Sequence, residues 1–418
     1  MREIPLNKQK IINDPVYGFI GFPFEIIFDL FEHPYFQRLR RIRQLGLTHF
    51  VYPGANHTRF QHALGATSLM SSAIEIIRSK GHEITEEEAE AVSIAILLHD
   101  IGHGPFSHAL EHSIIEGTSH ETISLLFMNR LNSIFKGKLD LAIQIFRNKY
   151  HKNFLHQLVS SQLDMDRLDY LRRDSYFTGV SEGVVGSDRI IKMLNVKDDQ
   201  LVVDIKGIYS IEKFLVSRRL MYWQVYFHKT VISSENLLVE LLKRAKYLSE
   251  KGEELFASPA YSYFLKNKVK AKHFDQAGPV DVLELYSKLD DNDIMVSAKV
   301  WMNHSDKVLS MLSSMLINRK LFRIEMKNKA FDADRVEKIR DYLALYYHLS
   351  AEETRYLVSE GSISNYAYNS LDDNIKIMQK NGECHDIADV SDMLNVTVLS
   401  RTVKKHFLCF PKEIEFPF

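Results

Sequence analysis

The order of apolar and polar residues over the first 250 positions is typical of helices. In PYFQRLRRIRQLG (34–46), apolar side chains recur at every third position with arginines between them, which predicts an amphipathic helix ending at Gly46. The turn-forming residues of VYPGANHTRF (51–60) predict a loop. The pattern is helical again from about Thr58 to Lys80, and Gly81 is expected to end this helix.

The next helix is predicted to be buried at its carboxyl end. Thr85 and Glu88 have the spacing of a capping box, which predicts that the helix begins there. Its second half, AVSIAILL, is apolar nearly all round, and such helices lie in the interior. The helix would therefore carry the polar pair that follows it, His99 and Asp100, into the protein and away from open solvent.

The remaining pattern divides the chain into a larger helical part and a smaller mixed part. Further helices are predicted over 120–135, 154–174 and 210–249. After about residue 255, helices and loops are followed by two short strands, KLFRIEMKN and FLCFPKEIEF, with the helix DADRVEKIRDYLALYYHL between them. We expect a mainly α protein, with a helical core in 1–254 and a smaller α+β region in 255–418.

Composition narrows the class of protein only slightly. Apolar residues make up 45% and charged residues 26%, as in ordinary globular proteins. With 53 Lys plus Arg against 54 Asp plus Glu, the net charge of −1 argues against a general nucleic-acid binder. Two cysteines fit a reducing compartment, and neither a signal peptide nor a membrane span is recognisable, so a cytoplasmic protein without a membrane partner is expected.

The first candidate for a functional site is the segment LLHDIGHGPFSHALEH (97–112), which is rich in histidine. A lone His–Asp pair at a buried helix end is more often a satisfied polar plug than a site. His62 in RFQHALG and Asp166 in LDMDRLDYLRRD change that balance. At about 100° per residue, Asp166 shares one helix face with Tyr170 and Asp174, whereas Asp164 points the other way.

These residue types predict a metal site. Imidazole nitrogens together with carboxylate oxygens suit Fe, Mn, Ni, Co or Zn. Two histidines and two aspartates also leave positions open for water and substrate, as a catalytic site requires. One divalent transition metal per site is therefore predicted, with four ligands: His62, His99, Asp100 and Asp166.

The order H…HD…D resembles the HD-superfamily metal-dependent phosphohydrolases. The similarity extends to consecutive blocks of the deoxynucleoside triphosphate (dNTP) triphosphohydrolases, over roughly residues 10–250: NDPVYGFI, FQRLRRIRQLG, YPGANHTRFQHALG, LLHDIGHGPFSH, HE at 120–121 and DMDRLDYLRRD. The resemblance implies an HD-domain helical core and water attack on the α-phosphate of a dNTP, which releases deoxynucleoside and triphosphate. It also implies a homo-oligomer, either a dimer or a tetramer.

The resemblance implies four catalytic residues: His103, His108, Glu111 and His120. His108 lies where the family has a histidine beside the α-phosphate, and His103 would also face the phosphates. The alternative for His103 is a histidine that caps the loop or supports a ligand. Glu111 would be the carboxylate partner of His120, although the family member compared has Asp there.

The resemblance also implies seven substrate-binding residues: Gln44, Leu45, Arg59, Tyr170, Asp174, Arg218 and Tyr226. The two arginines would bind phosphate, which the planar guanidinium contacts through two bonds at once. Gln44 and Asp174 would bind the sugar 3′-hydroxyl, and Leu45 and Tyr226 would crowd the 2′ carbon and exclude ribose. Tyr170 would stack near the sugar or bond a phosphate. Mg²⁺ bridging the substrate phosphates remains open as a second cofactor.

Some members of this family bind an activating nucleotide between subunits. The nearest matching positions are Asn13, Glu32, Gln37, Arg40, Arg189 and Lys206. Asp204 stands where the compared member has a basic residue, so the sequence leaves activation open.

Two other functions remain as alternatives. The first is another HD phosphohydrolase that acts on nucleoside monophosphates or signalling nucleotides. Alarmone hydrolases carry an acidic pair soon after HD, and cyclic-dinucleotide enzymes carry GYP; HDIGHGP lacks the first and the chain lacks the second. The other alternative is a non-catalytic nucleotide sensor or nucleic-acid binder, against which both the net charge and the complete ligand set argue.

Overall fold

The computed structural model describes residues 11–106, 115–275, 279–365, 368, 374–392 and 402–414. The protein is mainly α-helical, as the sequence predicts, with 19 helices and several small sheets in these residues. None of these helices is both long enough and apolar enough to cross a bilayer.

The amino-terminal part begins with an antiparallel hairpin and continues as packed helices. Its first elements are β1 (Ile12–Asp14), β2 (Gly18–Ile20), α1 (Glu25–Glu32), α2 (Pro34–Gln37), α3 (Arg59–Ser79) and α4 (Glu86–Leu98). They are followed by β3 (Ile115–Glu116), α5 (His120–Ile134), α6 (Asp140–Phe146), α7 (Asn153–Val159) and α8 (Met165–Thr178). This part ends with α9 (Ser187–Met193), β4 (Leu194–Lys197), β5 (Gln200–Asp204), α10 (Ile208–Met221) and α11 (Lys229–Glu250).

The carboxyl-terminal part contains shorter helices and most of the remaining strands. It begins with α12 (Pro259–Lys266), β6 (Val269–Lys270), α13 (Ala271–Asp275), α14 (Val282–Tyr286), α15 (Asp291–Trp301) and α16 (Lys307–Ile317). It continues with β7 (Arg323–Lys327), α17 (Ala333–Tyr347), α18 (Ala351–Thr354), β8 (Ser359–Asn365), β9 (Lys376–Met378), β10 (Cys384–Asp386), α19 (Ile387–Val390) and β11 (Val403–Phe410). The first predicted strand corresponds to β7 and the predicted helix to α17, whereas β11 covers only the first four residues of the second predicted strand and begins four residues before it.

Both parts share one hydrophobic core and one sheet. The four-stranded sheet has the order β10-β9-β5-β4, so strands from the carboxyl-terminal part complete a hairpin of the amino-terminal part. The order β7-β11-β8 describes a separate antiparallel sheet. The division at residues 254 and 255 stays a prediction, and the first sheet crosses it.

Helix α3 is central to the part of the molecule that holds the site. It packs against both α4 and α8, and its buried face includes His62. Gly65 allows α8 to come close: a Cβ there would lie 2.0 Å from Asp169 Oδ1 and 2.1 Å from Arg173 Nη2. The capping box of Thr85 and Glu88 starts α4, as predicted.

The predicted helix over 34–46 is wrong in its second half. After α2, a 3-10 turn spans Arg38–Arg41, and Ile42 has extended backbone. The chain then runs beside residues 57–59, with hydrogen bonds from Arg59 N to Ile42 O and from Gln44 N to His57 O. This pairing outweighs the helical periodicity.

The predicted helix over 154–174 is two helices with a break between them. Asp164 is the N-cap of α8, and its side chain accepts hydrogen bonds from Arg167 N at 2.7 Å and Ser161 N at 2.8 Å. The new start places Asp166 in the first turn of α8. The predicted helix over 210–249 is likewise interrupted, because a π-helical turn spans Tyr222–Tyr226 before α11 begins.

Candidate active site

Three helices bring the predicted metal ligands together. His62 lies on α3, Asp166 lies in the first turn of α8, and His99 and Asp100 follow the last residue of α4. The carboxyl half of α4 is buried, as its apolar sequence predicts. His62 is fully buried, whereas His99 and Asp100 keep 9% and 8% of their surface exposed.

The ligand atoms lie within coordination range of one another. Asp166 Oδ1 is 3.0 Å from His62 Nε2 and 3.5 Å from His99 Nε2. Asp100 Oδ1 is 3.4 Å from His99 Nε2, and Asp100 Oδ2 is 3.9 Å from His62 Nε2. His62, His99 and Asp166 therefore form one group that could hold a metal ion.

The hydrogen bonds of the two histidines fit a metal. His62 Nδ1 is bonded to Asp169 at 2.7 Å, and His99 Nδ1 donates to the carbonyl of Ile96 at 2.7 Å. Each ring therefore presents Nε2 to the shared space, where it faces the carboxylate of Asp166. Two buried imidazole lone pairs beside carboxylates are a suitable donor set for a divalent transition metal.

Without a metal, the histidines of this site bind protons where the metal would bind. Burial disfavours the charged form of His62, but the nearby carboxylates of Asp166 and Asp169 outweigh burial and raise its pKa to about 10. Burial acts to raise the pKa of Asp166, yet His62 and His99 together hold it well below its usual range. A metal ion would thus replace a proton on the histidines and interact with an ionised carboxylate.

A second group of possible ligands adjoins the first. Asp100, His103 and His120 could also hold an ion, and the rings of His103 and His120 stack with centroids 3.8 Å apart. His103 Nε2 lies 3.3 Å from Asp100 Oδ1. Burial, together with the charge of Arg59, lowers the pKa of His103 to about 3, so this ring is neutral at pH 7. The other two predicted catalytic residues, His108 and Glu111, lie outside the described residues.

The loop of His103 is packed tightly against α5. Gly102 N donates to Ser124 Oγ at 2.9 Å, and Ser124 Oγ donates to the carbonyl of His99 at 2.7 Å. A Cβ at Gly102 would lie 2.2 Å from the carbonyl oxygen of His120. This close approach brings the loop that carries His103 against the start of the helix that carries His120.

Beneath His62 lies a charged network that sequence reasoning did not identify. Asp169 bonds His62 Nδ1 and also accepts two hydrogen bonds from Arg173, both at 2.9 Å. Arg173 in turn donates to Asp14 at 2.7 Å. A carboxylate on the second nitrogen of a metal-binding histidine fixes its tautomer and orientation. The spacing of three residues between Asp166 and Asp169 was the available signal.

The resemblance implies four residues that contact the sugar, and their surroundings in the structure differ: Asp174, Tyr226, Gln44 and Leu45. Asp174 accepts a hydrogen bond from the Tyr226 hydroxyl at 2.6 Å, and its other oxygen lies 2.8 Å from His57 Nε2. Gln44 is tied to the same segment through the backbone of His57. Leu45 follows it and is half-buried. His57, which sequence reasoning did not assign, thus connects two of the predicted residues.

The two predicted phosphate-binding residues, Arg59 and Arg218, differ in their surroundings. Arg59 forms an ion pair with Asp100. Arg218 is buried, and its Nε and Nη1 have no hydrogen-bond partner among the described residues. The charges of Arg218 and Arg167 both act on Tyr170, whose pKa is raised chiefly by burial and then by Tyr222. Arg167 was not among the predicted residues.

A cavity of about 410 Å³ opens on the group of predicted metal ligands. Four of the predicted residues line it: His99, Asp100, His120 and Asp166. Phe146, His156, Ser160 and Arg167, which were not predicted, also line it. The residues around Asp174 are not part of its described lining.

Four of the six positions considered for an activating nucleotide form two pairs. Gln37 Oε1 accepts a hydrogen bond from Arg40 Nε at 2.8 Å, and Arg189 donates to the carbonyl of Lys206 at 3.2 Å. Asp204 pairs with Lys80 at 2.8 Å. Nucleotide activation stays a prediction.

Comparison with known proteins places this site in a family. The model described as HD domain matches residues 59–173, and the model described as HD associated region matches residues 185–254. A solved phosphohydrolase from Bacteroides thetaiotaomicron is 55% identical, with a TM-score of 0.92 over 96% of this chain and 99% of its own. The chain belongs to the HD-domain phosphohydrolases. The matched HD domain contains all four predicted metal ligands.

Other relatives of this HD phosphohydrolase differ in how far they have been characterised. The uncharacterised protein YwfO of Bacillus subtilis is 30% identical over 98% of this chain and 94% of its own length. A Dictyostelium discoideum protein named deoxynucleoside triphosphate triphosphohydrolase SAMHD1 homolog is 33% identical over 59% of this chain and 51% of its own. Membership of this family identifies the protein as an HD-type phosphohydrolase, and its residues include groups that could hold a divalent metal.

Proposed function

We propose that the protein is a metal-dependent dNTP triphosphohydrolase that converts a dNTP into deoxynucleoside and inorganic triphosphate. The observation that carries the proposal is the arrangement of two residue groups. Imidazole and carboxylate donors cluster around His62, while Asp174 and Tyr226 form a separate polar pair. Homology to proteins named dNTP triphosphohydrolases supports the same substrate class.

His62, His99, Asp100 and Asp166 would hold one divalent ion, either Fe, Mn, Ni, Co or Zn. Such an ion polarises a phosphate oxygen and activates water for attack when it is bound. Asp169 keeps the Nε2 atom of His62 directed at the cluster, because its carboxylate bonds Nδ1. The Ile96 carbonyl does the same for His99.

Two arginines would bind the triphosphate. Arg218 presents a buried guanidinium with two nitrogens that lack partners among the described residues, and burying such a group is costly without an anion. Arg167 lines the cavity beside Asp166. The neutral ring of His103 can donate or accept one hydrogen bond to the phosphates. Among the described residues, His120 is the candidate that would pass a proton to the leaving 5′-oxygen.

On the sugar side, Asp174 is oriented by two neighbours. The Tyr226 hydroxyl and the His57 ring each bond one of its oxygens, so the carboxylate is fixed before substrate binds. A fixed carboxylate can accept a hydrogen bond from a sugar 3′-hydroxyl. Tyr226, held by this bond, would then crowd the 2′ carbon, and ribonucleotides would be rejected.

The experiment is incubation of the purified protein with each dNTP and each NTP, in Mn²⁺, Mg²⁺, Co²⁺, Ni²⁺, Zn²⁺ or Fe²⁺. We expect triphosphate and deoxynucleoside from dNTPs, and at least about tenfold slower turnover of NTPs. His99→Ala and Asp166→Ala should abolish turnover and metal retention. His82→Ala is the matched control, because His82 pairs with Asn195 and lies outside the site.

The same experiment separates the competing functions. Release of pyrophosphate or phosphate in place of triphosphate would favour another HD phosphohydrolase acting on other nucleotides. No product from any dNTP, across these metals and with added candidate activating nucleotides, would refute the proposal.

A further inference from the structure

The loop of the HD motif is held from the carboxyl-terminal part of the chain. Tyr286, the last residue of α14, donates its hydroxyl to the carbonyl of Gly102 at 2.8 Å. Arg38 donates to the carbonyl of Ile101 at 2.7 Å and to that of Leu289 at 3.3 Å. All of these contacts are buried. Arg38, which its sequence pattern would place on a solvated helix face, is therefore a connection between the two parts.

Asp291 holds the same loop together with a second segment of the chain. It is the first residue of α15 and is 4% exposed. Its Oδ1 accepts a hydrogen bond from Phe106 N at 2.9 Å, and its Oδ2 accepts one from Arg43 N at 3.0 Å. One carboxylate thus bonds two backbone segments that are more than 60 residues apart in the chain.

Each of these segments leads into the site. Phe106 follows His103 by three residues, and its backbone has a φ of 49°, which is uncommon for a bulky side chain and is maintained only when the surroundings hold it. Arg43 directly precedes Gln44, whose backbone pairs with that of His57. The positions of His103 and of Gln44 relative to each other therefore depend on the same carboxylate.

We propose that Asp291 is a positioning residue of the hydrolase site. By bonding the backbone N–H groups of Phe106 and Arg43, it fixes the loop of His103 relative to the segment of Gln44. The carboxyl-terminal part of the chain then contributes to catalysis without touching substrate. The size of the effect on turnover rests on the proposed function, whereas the effect on the two segments does not.

The test compares Asp291→Ala and Asp291→Asn with Asp290→Asn in the full-length protein. Asp290 is the matched control because it is the N-cap residue of the same helix, and its carboxylate pairs with the side chain of Arg41. Asn at 291 keeps one acceptor oxygen, so it removes only one of the two bonds and guards against a variant that fails to fold. Three properties of each protein are measured. They are the amide hydrogen exchange of residues 42–45 and 101–106, the kcat and KM for a dNTP, and the metal content.

We expect Asp291→Ala to speed exchange in both segments about tenfold or more. It should lower kcat about 10- to 100-fold, as misplacement of catalytic groups does, while KM and metal content stay within about twofold. Asp291→Asn should be intermediate, and Asp290→Asn should match wild type in kcat and in the exchange of both segments.

Three results would overturn the inference: wild-type exchange in both segments of Asp291→Ala, faster exchange with unchanged kcat, or an equal loss of kcat in Asp290→Asn. If the wild-type protein hydrolyses no dNTP, the proposed function fails. In that case the exchange of the two segments still decides whether Asp291 fixes them.

Discussion

At the scale of single residues, His62 uses its two ring nitrogens for different tasks. Nδ1 is bonded to the buried carboxylate of Asp169, and Nε2 faces Asp166 and Asp100. Because Arg173 neutralises Asp169 from the other side, the carboxylate can stay ionised in the interior. The tautomer and direction of His62 are thus set before a metal binds.

Asp169→Asn is expected to weaken metal binding. Loss of a carboxylate on a metal-binding histidine typically lowers affinity about 10- to 100-fold. Equilibrium dialysis against Mn²⁺ or Co²⁺ followed by elemental analysis would measure the change. The exposed Asp188, which pairs loosely with Arg172, offers Asp188→Asn as the control. Equal affinities for wild type and Asp169→Asn would show that Asp169 does not support the site.

Metal affinity is expected to rise with pH. Because the pKa of His62 is about 10 without metal, above its ordinary value of 6.5, the stabilisation from its proton is complete below pH 6.5 and is lost as the pH rises through 10. A metal must displace that proton, so affinity should increase up to about tenfold per pH unit for one proton released. Titrations between pH 6.5 and 8.5, with calorimetry in two buffers to count protons, would measure this. An affinity independent of pH would contradict it.

The sequence predicts the ligand types but not all of their supports. His62, His99 and Asp166 could be selected because their order and helix positions are visible in one chain. Asp169 offered only its spacing from Asp166 as a signal and His57 offered none, because their contacts depend on how closely α3, α8 and the 57–59 segment approach in space. His57 lies 117 positions from its partner Asp174, and no local pattern records such a distance.

At the scale of elements, the contact between α3 and α8 determines the site. Gly65 lets the Asp169–Arg173 pair lie directly against the α3 backbone. The sequence predicts α3 almost to the residue, because Gly81 at a φ of 89° follows its end. It misses the break before α8, because Asp164 acts as an N-cap there and the apolar pattern continues across the gap.

Gly65→Ala is expected to disrupt this contact. Its Cβ would collide with atoms of a fully buried ion pair, which should cost about 3 kcal/mol of unfolding free energy and lower metal retention. Gly21→Ala is the matched control, since its Cβ meets nothing within 4 Å. Urea unfolding of both variants measures the difference. A Gly65→Ala protein as stable as Gly21→Ala would show that α8 does not approach α3 this closely.

At the scale of the whole molecule, the two predicted regions are not separate in their packing. Strand β9 pairs with β5, and the fully buried Arg38 bonds a carbonyl on each side of the division. The sequence shows that the helical pattern gives way to a mixed pattern of helices and strands near residue 255, but it cannot show which strands pair. The partner of β5 follows it by more than 170 positions, and such pairings leave no periodic signal.

A fragment of residues 1–254 is therefore expected not to fold cooperatively. It would expose the β5 edge and leave the buried guanidinium of Arg38 without the Leu289 carbonyl. Thermal unfolding followed by circular dichroism, with the full chain as control, is the measurement. A sharp transition with a melting temperature equal to that of the full chain would show instead that 1–254 is an independent domain.

The most direct test of the central claim is hydrolysis of a dNTP in H₂¹⁸O, with mass analysis of both products. Water attack on the α-phosphorus with release of the 5′-oxygen predicts one ¹⁸O atom in the triphosphate and none in the deoxynucleoside. The label in a nucleoside monophosphate, or in pyrophosphate or phosphate without any triphosphate, would contradict a triphosphohydrolase.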